Sequence, residues 1–554
     1  MVTRSTDSAK GQYLWRGGHK IEVEKVVDRF TVIPATPVQL ESLRNAPGVR
    51  NVTAITNQVY KVETTKTERD ASMSALRSEV YNVIAHHAYQ PKDSEGTVFY
   101  LTDKIIVHFK SSASVPQIEK LLEKYQLKVV KEYEENTYLL QVTSSSGENP
   151  IKVSNDLAQE KLVEAAEPNM VNRFSPAFIP SDTLFPRQWH LRAQAGPQLV
   201  AEASVSASDA WNVTLGERSI VVAVIDDGFD LAHPDFKGPG KVVFPKDFVD
   251  GDASPFPEAS HGDFHGTPCA GVAIAEINGE GVVGVAPGCA FMPVRFPLQA
   301  DDDLLIEIFK WVGQRADVIS CSWGPPPVFA PLSTAVSNTL RQLATTGGPR
   351  GKGCVICFAA ANFDAPLNDP VNSNGLTWFD FSANMIRKTV GPILSGFATH
   401  PHVIAVAAST SLNKHAAYSN FGAEVSVCAP SNNFHPLDTQ KFVPGLGIWT
   451  TDNEAFGSGF TSNSRFTGNF GGTSSATPLL AGIAALILSA NPDLTAAQVK
   501  DVLQTTTDKI VDKDVDIVRG GNRGQYNSKG RCDWFGFGKV NAAKAVAEAV
   551  KRKK

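Results

Sequence analysis

Gly472-Thr473-Ser474-Ser475-Ala476-Thr477-Pro478 runs straight into an apolar helical stretch in which Leu479, Leu480, Ile483, Leu486 and Ile487 make a stripe. A serine in a tight turn of small residues, at the entrance of a buried helix, suits a nucleophile. The pair Gly471-Gly472 lets backbone approach a substrate closely. The helix N-terminus presents unpaired N–H groups and partial positive charge to developing negative charge. Ser/Thr-rich helix caps share this composition, so the reading depends on partners elsewhere in the chain.

Two segments supply them. Ile220-Val221-Val222-Ala223-Val224-Ile225 is an unbroken apolar run, mostly β-branched, that reads as a strand buried on both faces. Asp226-Asp227-Gly228 follows it. A carboxylate at the C-terminal end of such a strand sits where open α/β sheets place their sites, although an Asx-turn cap has the same look. His265 opens a helix of small residues, Gly266 to Ala275, fit for the interior, and a histidine there is a candidate base. His261, four residues earlier, reads as a solvated loop residue or a metal ligand.

The chain order Asp, His, Ser is that of subtilisin, one of three unrelated orders that build the same triad. The segments Val224-Ile225-Asp226-Asp227-Gly228, His265-Gly266-Thr267 and Gly472-Thr473-Ser474 resemble the three motifs of subtilisin-like serine peptidases. The resemblance implies that Ser474 attacks the carbonyl, His265 takes and returns the proton, and Asp226 orients the imidazole. It also implies an oxyanion-holding asparagine, matched by Asn362 in Phe358-Ala359-Ala360-Ala361-Asn362, with Ala361 where the family has glycine. Ser320-Cys321-Ser322-Trp323-Gly324-Pro325 resembles the cleft edge of the kexin/furin branch. There Ser322 and Gly324 would pair with an extended substrate and Trp323 would wall a pocket; a core tryptophan is the other reading. That branch prefers basic residues, but Pro326-Pro327-Val328 replaces its acidic run, leaving Asp364 and Asp369 as sources of negative charge. Asp182, Asp235 and Asn278 match a structural calcium site of the family, consistent with the oxygen ligands calcium takes.

The 554 residues predict two to four domains, and 42% hydrophobic with 20% charged residues indicates a soluble globular protein. A net charge of −5 argues against nucleic acid as a main partner. No apolar run reaches the roughly 20 residues of a membrane span. Residues 1–20 lack the apolar centre of a signal peptide, which predicts a cytoplasmic protein unless a leader lies outside the sequence. Seven cysteines, mostly in apolar segments, read as buried free thiols. Cys354 and Cys357 sit three apart in a strand and therefore face opposite ways.

The expected fold class is α/β, a subtilisin-like parallel sheet flanked by helices over 182–554. Its strands are Ile220 to Ile225, Val318 to Cys321, Val355 to Ala359 and Val403 to Ala407. Upstream, 98–174 reads βαββαβ, a ferredoxin-like α+β module resembling the propeptides of this family. Residues 1–97 form an α+β region: Lys20 to Glu63 reads as half of a related module, with Val49 to Val62 as one strand and Thr67 to His87 as a helical connector. Residues 175–181, with Pro176 and Pro180, read as a linker and candidate processing site. The sequence thus predicts a monomeric, self-processed serine endopeptidase whose partners are polypeptide substrates and its own propeptide. The alternative is a catalytically silent peptide-binding protein on the same fold. An esterase is disfavoured because Ser474 lacks a G-x-S-x-G elbow.

Overall fold

The computed structural model describes residues 11–34, 40–78, 81, 83–92, 98–171, 178–438, 440–454, 458–462 and 464–553. The chain divides into two units, 1–176 and 177–554. Of the candidate processing site 175–181, residues 175–177 lie outside the described residues.

The first unit holds two ferredoxin-like modules in tandem. Strands β1 (Tyr13–Arg16) and β2 (His19–Pro34) lead to helix α1 (Leu40–Arg44), then β3 (Val49–Ala54), β4 (Tyr60–Thr64), α2 (Arg69–Leu76) and β5 (Val83–Pro91). The second module repeats the plan with β6 (Phe99–Phe109), α3 (Val115–Lys124), β7 (Leu127–Glu134), β8 (Thr137–Val142), α4 (Pro150–Leu157) and β9 (Val163–Val171). All strands join one sheet in the order β3-β4-β2-β5-β6-β8-β7, with β9 beside β6 and β1 beside β2. In each module the fourth strand thus lies next to the first. Residues 49–62 are two antiparallel strands and not one, because the chain turns at 55–59 and Ala54 pairs with Tyr60. The stretch 67–87 is not a plain connector: α2 ends at Leu76 and β5 begins at Val83, completing a whole βαββαβ unit. Local chemistry sets the helix starts. Ser114 and Gln117 form a capping box on α3, and the Asn149 side chain accepts from Lys152 N with Pro150 at the first helical position of α4.

The second unit is built on a seven-stranded sheet. Strands β10 (Val221–Asp226), β11 (Lys246–Asp247), β12 (Ala290–Arg295) and β13 (Val318–Cys321) continue with Val355–Ala359, Ile404–Ser409 and Val427–Pro430. Their order is β11-β12-β10-β13, then the strands at 355, 404 and 427, and every pair is parallel. Connections after β10 run first to one side and then, from β13, to the other. A crevice therefore opens at the C-terminal ends of β10 and β13, the place such sheets keep for ligands. Three strands, β11, β12 and Val427–Pro430, add to the four read from sequence; Pro293 and Pro430 break up the apolar runs that would have announced two of them. Both sheet faces are covered, and Cys357 and Cys354 fall in separate cores on its two sides. All seven cysteines are buried and free. The helix Thr473–Ala490 has the length and apolarity to cross a membrane, but all its residues except Ser489 are buried in the core.

Candidate functional site

Asp226 ends β10, buried, and its Oδ1 is 2.9 Å from Nδ1 of His265. Burial disfavours the imidazolium, yet the adjacent Asp226 carboxylate outweighs it and holds His265 well above the ordinary histidine pKa. The next residue, Asp227, locks the histidine in place. Its carboxylate accepts from the backbone N–H of Phe264, His265 and Gly266 at 2.7 to 3.1 Å. It thereby caps the helix Gly266–Ile274, whose own N-cap residue makes no side-chain cap bond. Burial, then the neighbouring Asp226 charge, pushes Asp227 up to about 6. Its carbonyl accepts from Arg295 Nε at 3.1 Å. Arg295 is itself fully buried and paired with Asp247 and Asp263 at 2.9 and 2.8 Å. His261 is exposed, and its Nδ1 accepts from Arg295 Nη2 at 3.1 Å.

Ser474 lies in the first turn of the buried helix Thr473–Ala490. Pro478 cannot donate to the Ser474 carbonyl four residues back. Instead that carbonyl accepts from Ser322 Oγ at 3.2 Å and Cys269 Sγ at 3.5 Å. Cys269 Sγ is also 3.6 Å from His265 Nδ1, so the serine main chain and the imidazole flank one thiol. Burial pushes that thiol up to about 11, leaving it protonated and unreactive at neutral pH. Ser474 Oγ donates to the Ser322 carbonyl across 3.4 Å.

Asn362 follows the strand Val355–Ala359, and its amide is fixed by Thr473. Oδ1 accepts from Thr473 N at 2.8 Å and Thr473 Oγ1 at 2.9 Å, which leaves Nδ2 without an acceptor among the described residues. Thr473 Oγ1 also accepts from Ala361 N at 3.1 Å. Ala361 sits at φ +78°, left-handed backbone that explains why a glycine suits this position. Exchanging Ala361 for glycine is expected to raise stability by up to about 1 kcal/mol in urea unfolding, relief of the Cβ clash being partly offset by unfolded-state entropy. Gly472 is at φ +71°, and a Cβ there would lie 3.0 Å from Asn362 Nδ2. Gly471 leaves room for the Asn432 amide, which a Cβ would meet at 1.8 Å. Thr473→Val removes the hydroxyl half of this lock and is expected to lower kcat about 10- to 100-fold with KM little changed. That is less than the roughly 10²–10³ typical of losing an oxyanion donor outright; steady-state kinetics on a peptide substrate checks it.

Ser322, Trp323 and Gly324 leave β13 without entering another strand. Gly324 is exposed, with open space where a Cβ would point. Trp323 is half-buried in an aromatic cluster with Phe296, Phe358 and Phe397, and its indole N–H donates to Ile225 O at 2.8 Å. Asp364 carries no free charge toward solvent: it is buried, its Oδ2 is 3.3 Å from Arg519 Nε, and burial followed by Asp516 pushes it up to about 9. Asp369 accepts from the Val371 and Asn372 backbone.

Asp182, Asp235 and Asn278 converge, although 53 and 43 residues separate them in sequence. Asn278 N donates to Asp182 Oδ1 at 3.2 Å and Asn278 Nδ2 to Asp235 Oδ1 at 2.8 Å. Both carboxylates are buried, and the Oδ2 atom of each lacks a hydrogen-bond partner among the described residues. Burial pushes Asp235 up to about 8 and also raises Asp182. Two buried acids with orphaned oxygens, all-oxygen and hard, fit a calcium ion.

Residues 217–538 match the subtilase family, whose model is the Peptidase_S8 domain. The chain belongs to the subtilase family. It is a serine endopeptidase, a hydrolase of peptide bonds. Residues 87–169 match the fervidolysin N-terminal prodomain, so this subtilase carries a prodomain ahead of its peptidase domain. The calcium-dependent protease of Trichormus variabilis is 35% identical over 87% of this chain and 68% of its own length. The dibasic-processing endoprotease of Schizosaccharomyces pombe is 29% identical over 69% of this chain and 47% of its own. Among solved structures, the serine protease of Aeromonas sobria shares the subtilase fold, with a TM-score of 0.52, 21% identity and 69% of each chain covered. Around the residues read from sequence, the subtilase site adds Asp227, Thr473, Asn432 and Arg295. Only Asp227 and Thr473 were visible beforehand, as neighbours inside the motifs.

Proposed function

We propose that Asp226, His265 and Ser474 form the catalytic triad and that Asn362 Nδ2 and the Ser474 N–H hold the oxyanion. Ser474 Oγ attacks the carbonyl carbon while His265 Nε2 takes its proton. The tetrahedral oxyanion forms against the two donors. His265 returns the proton to the leaving amine, and the acyl-enzyme remains. Water then repeats the sequence, giving up a proton to His265 and releasing the acid with Ser474 restored. The observation that carries this reading is the 2.9 Å Asp226–His265 contact beside a serine whose neighbour, Thr473, fixes the Asn362 amide. A silent binding protein has no use for an amide held this way.

The chain is made as a zymogen that cuts itself between its two units, near 175–181. The prodomain match upstream of the peptidase supports this. The extended substrate lies along Ser322–Gly324, whose backbone is free of the sheet. Mass spectrometry of the purified protein beside Ser474→Ala tests self-processing: the wild type is expected in two pieces and the variant intact. Identical intact masses for both would refute it.

Calcium is the metal we assign to Asp182, Asp235 and Asn278, in keeping with the calcium-dependent name of the Trichormus relative. The ion would neutralise two buried carboxylates and tie the start of the peptidase domain to the 278 loop; it takes no part in bond cleavage.

A further inference from the structure

Two strained residues bracket Asn362. Ala361 sits at φ +78° and Asp364 at φ +47°, left-handed backbone that residues with a Cβ enter only at a cost. Such a turn persists where its surroundings over-determine it, and the sheet brings those surroundings in. The turn leaves the strand Val355–Ala359, whose parallel neighbour is Ile404–Ser409. Beyond that neighbour the chain doubles back. Ala416 N donates to Ala408 O at 3.2 Å, and Ala408 N donates to Ser419 Oγ at 3.0 Å. Residues 418–420 are thereby laid along 361–365, and Tyr418 O accepts from Asp364 N at 2.7 Å.

Asn420 makes the closest grip. It is buried, and its backbone N–H donates to Ala361 O at 3.0 Å. Its Oδ1 accepts from Phe363 N at 2.9 Å and from Ala365 N at 3.1 Å. One residue thus holds the chain immediately before and immediately after Asn362. Arg519 takes the carbonyls of the same turn. Its Nε donates to Asp364 O at 2.8 Å, and its Nη2 donates to Phe363 O at 3.2 Å and Thr377 O at 2.8 Å. Thr473 orients the Asn362 side chain; Asn420 and Arg519 set where its backbone stands.

We propose that Asn420 is a positioning residue for the oxyanion donor, with Arg519 as its second support. The inference rests on the reading of Asn362 as that donor. Asn420 acts through the turn: without its Oδ1, the N–H groups of Phe363 and Ala365 lose their acceptor, and the left-handed residues are free to relax. The donor then meets the developing charge out of place. An interaction made only in the transition state is weakened by this, so kcat falls while KM holds.

The test measures kcat and KM of the calcium-loaded enzyme on a short chromogenic peptide, with active sites counted by fluorophosphonate titration. Asn420→Ala is expected to lower kcat about tenfold with KM within about twofold, against roughly 10²–10³ in kcat for losing the donor itself in Asn362→Ala. On the Asn362→Ala background the same change should cost less than about threefold, because a support has no effect once the group it supports is gone. If Asn420→Ala does not fold, Arg519→Lys carries the same test. It keeps the charge but loses the planar fork, and should lower kcat about fivefold, again only while Asn362 is present. A loss that multiplies in full on the Asn362→Ala background, a rise in KM in place of the fall in kcat, or no change in either would overturn the proposal. An Asn362→Ala enzyme as fast as wild type would instead refute the oxyanion reading, and this inference with it.

Discussion

Ser474→Ala is expected to lower kcat on peptide substrates about 10⁶-fold while the fold of the peptidase domain stays as it is. In subtilisin, a member of the same family, removing the serine or the histidine alone costs about 2 × 10⁶ in kcat, nearly as much as removing the whole triad. The serine is buried and its neighbours hold the helix start without it: Thr473 binds Asn362, Ser475 Oγ donates to Ser431 Oγ at 2.9 Å, and Gly472 N donates to Asn432 Oδ1 at 2.9 Å. Deleting one hydroxyl leaves that lattice intact, so the Tm should move little. A variant that keeps more than about one per cent of wild-type kcat would mean that another group supplies the nucleophile.

The second large effect concerns calcium and carries a sign. Burial pushes Asp235 from its ordinary 3.8 up to about 8, and Asp182 moves the same way. A folded-state value above the unfolded one means that the metal-free folded protein holds a proton the unfolded chain has already released. Its stability therefore falls as pH rises from about 4 to 8. A bound calcium ion replaces that proton and removes the slope. Chelation should thus be nearly silent at pH 5 and costly at pH 8. With calcium at about a thousand times its Kd the difference is about 4 kcal/mol, a Tm gap on the order of 10 °C. Scanning calorimetry with EDTA or calcium at the two pH values measures it. An equal effect of EDTA at both, or none at pH 8, would remove the ion from this site. Asp235→Asn should abolish most of the calcium response.

The parts of this molecule legible in its sequence are those whose chemistry is written in a few consecutive residues. A six-residue apolar strand ending in Asp226, a histidine opening a small-residue helix and a serine after two glycines each announce themselves. The second ferredoxin-like module could be read for the same reason, since short apolar runs such as Ile105-Ile106-Val107 and Tyr138-Leu139-Leu140 flank a helical spacing at Ile118, Leu121, Leu122 and Tyr125. The first module was only half legible: 49–62 is rich enough in strand-forming residues to pass for one strand, and the helical spacing of 69–76 hid the strand that follows. The groups that make the site rigid were less visible still. Asn432 fills the space that Gly471 leaves, so that glycine serves an amide of the protein itself as well as any approach of substrate. Asp227 looks in sequence like a spare copy of Asp226, yet it caps the histidine helix 38 residues away. Arg295 lies in a strand and gives no local hint of the four acids around it. Such contacts join residues far apart in the chain, and only the folded register reveals them. The same holds for Asp364, which sequence offers as a pocket charge and which the fold pairs with Arg519 and Asp516. A preference for basic residues before the cut therefore cannot draw on it.

The central claim is that an alcohol at Ser474 is made reactive by an imidazole braced by Asp226. Treating the folded full-length chain with a fluorophosphonate probe, followed by peptide mass spectrometry, asks this directly. The account predicts a single adduct on the peptide containing Ser474, lost in both Ser474→Ala and His265→Ala. A folded, calcium-loaded protein that takes no label, or takes it on another serine, would contradict it.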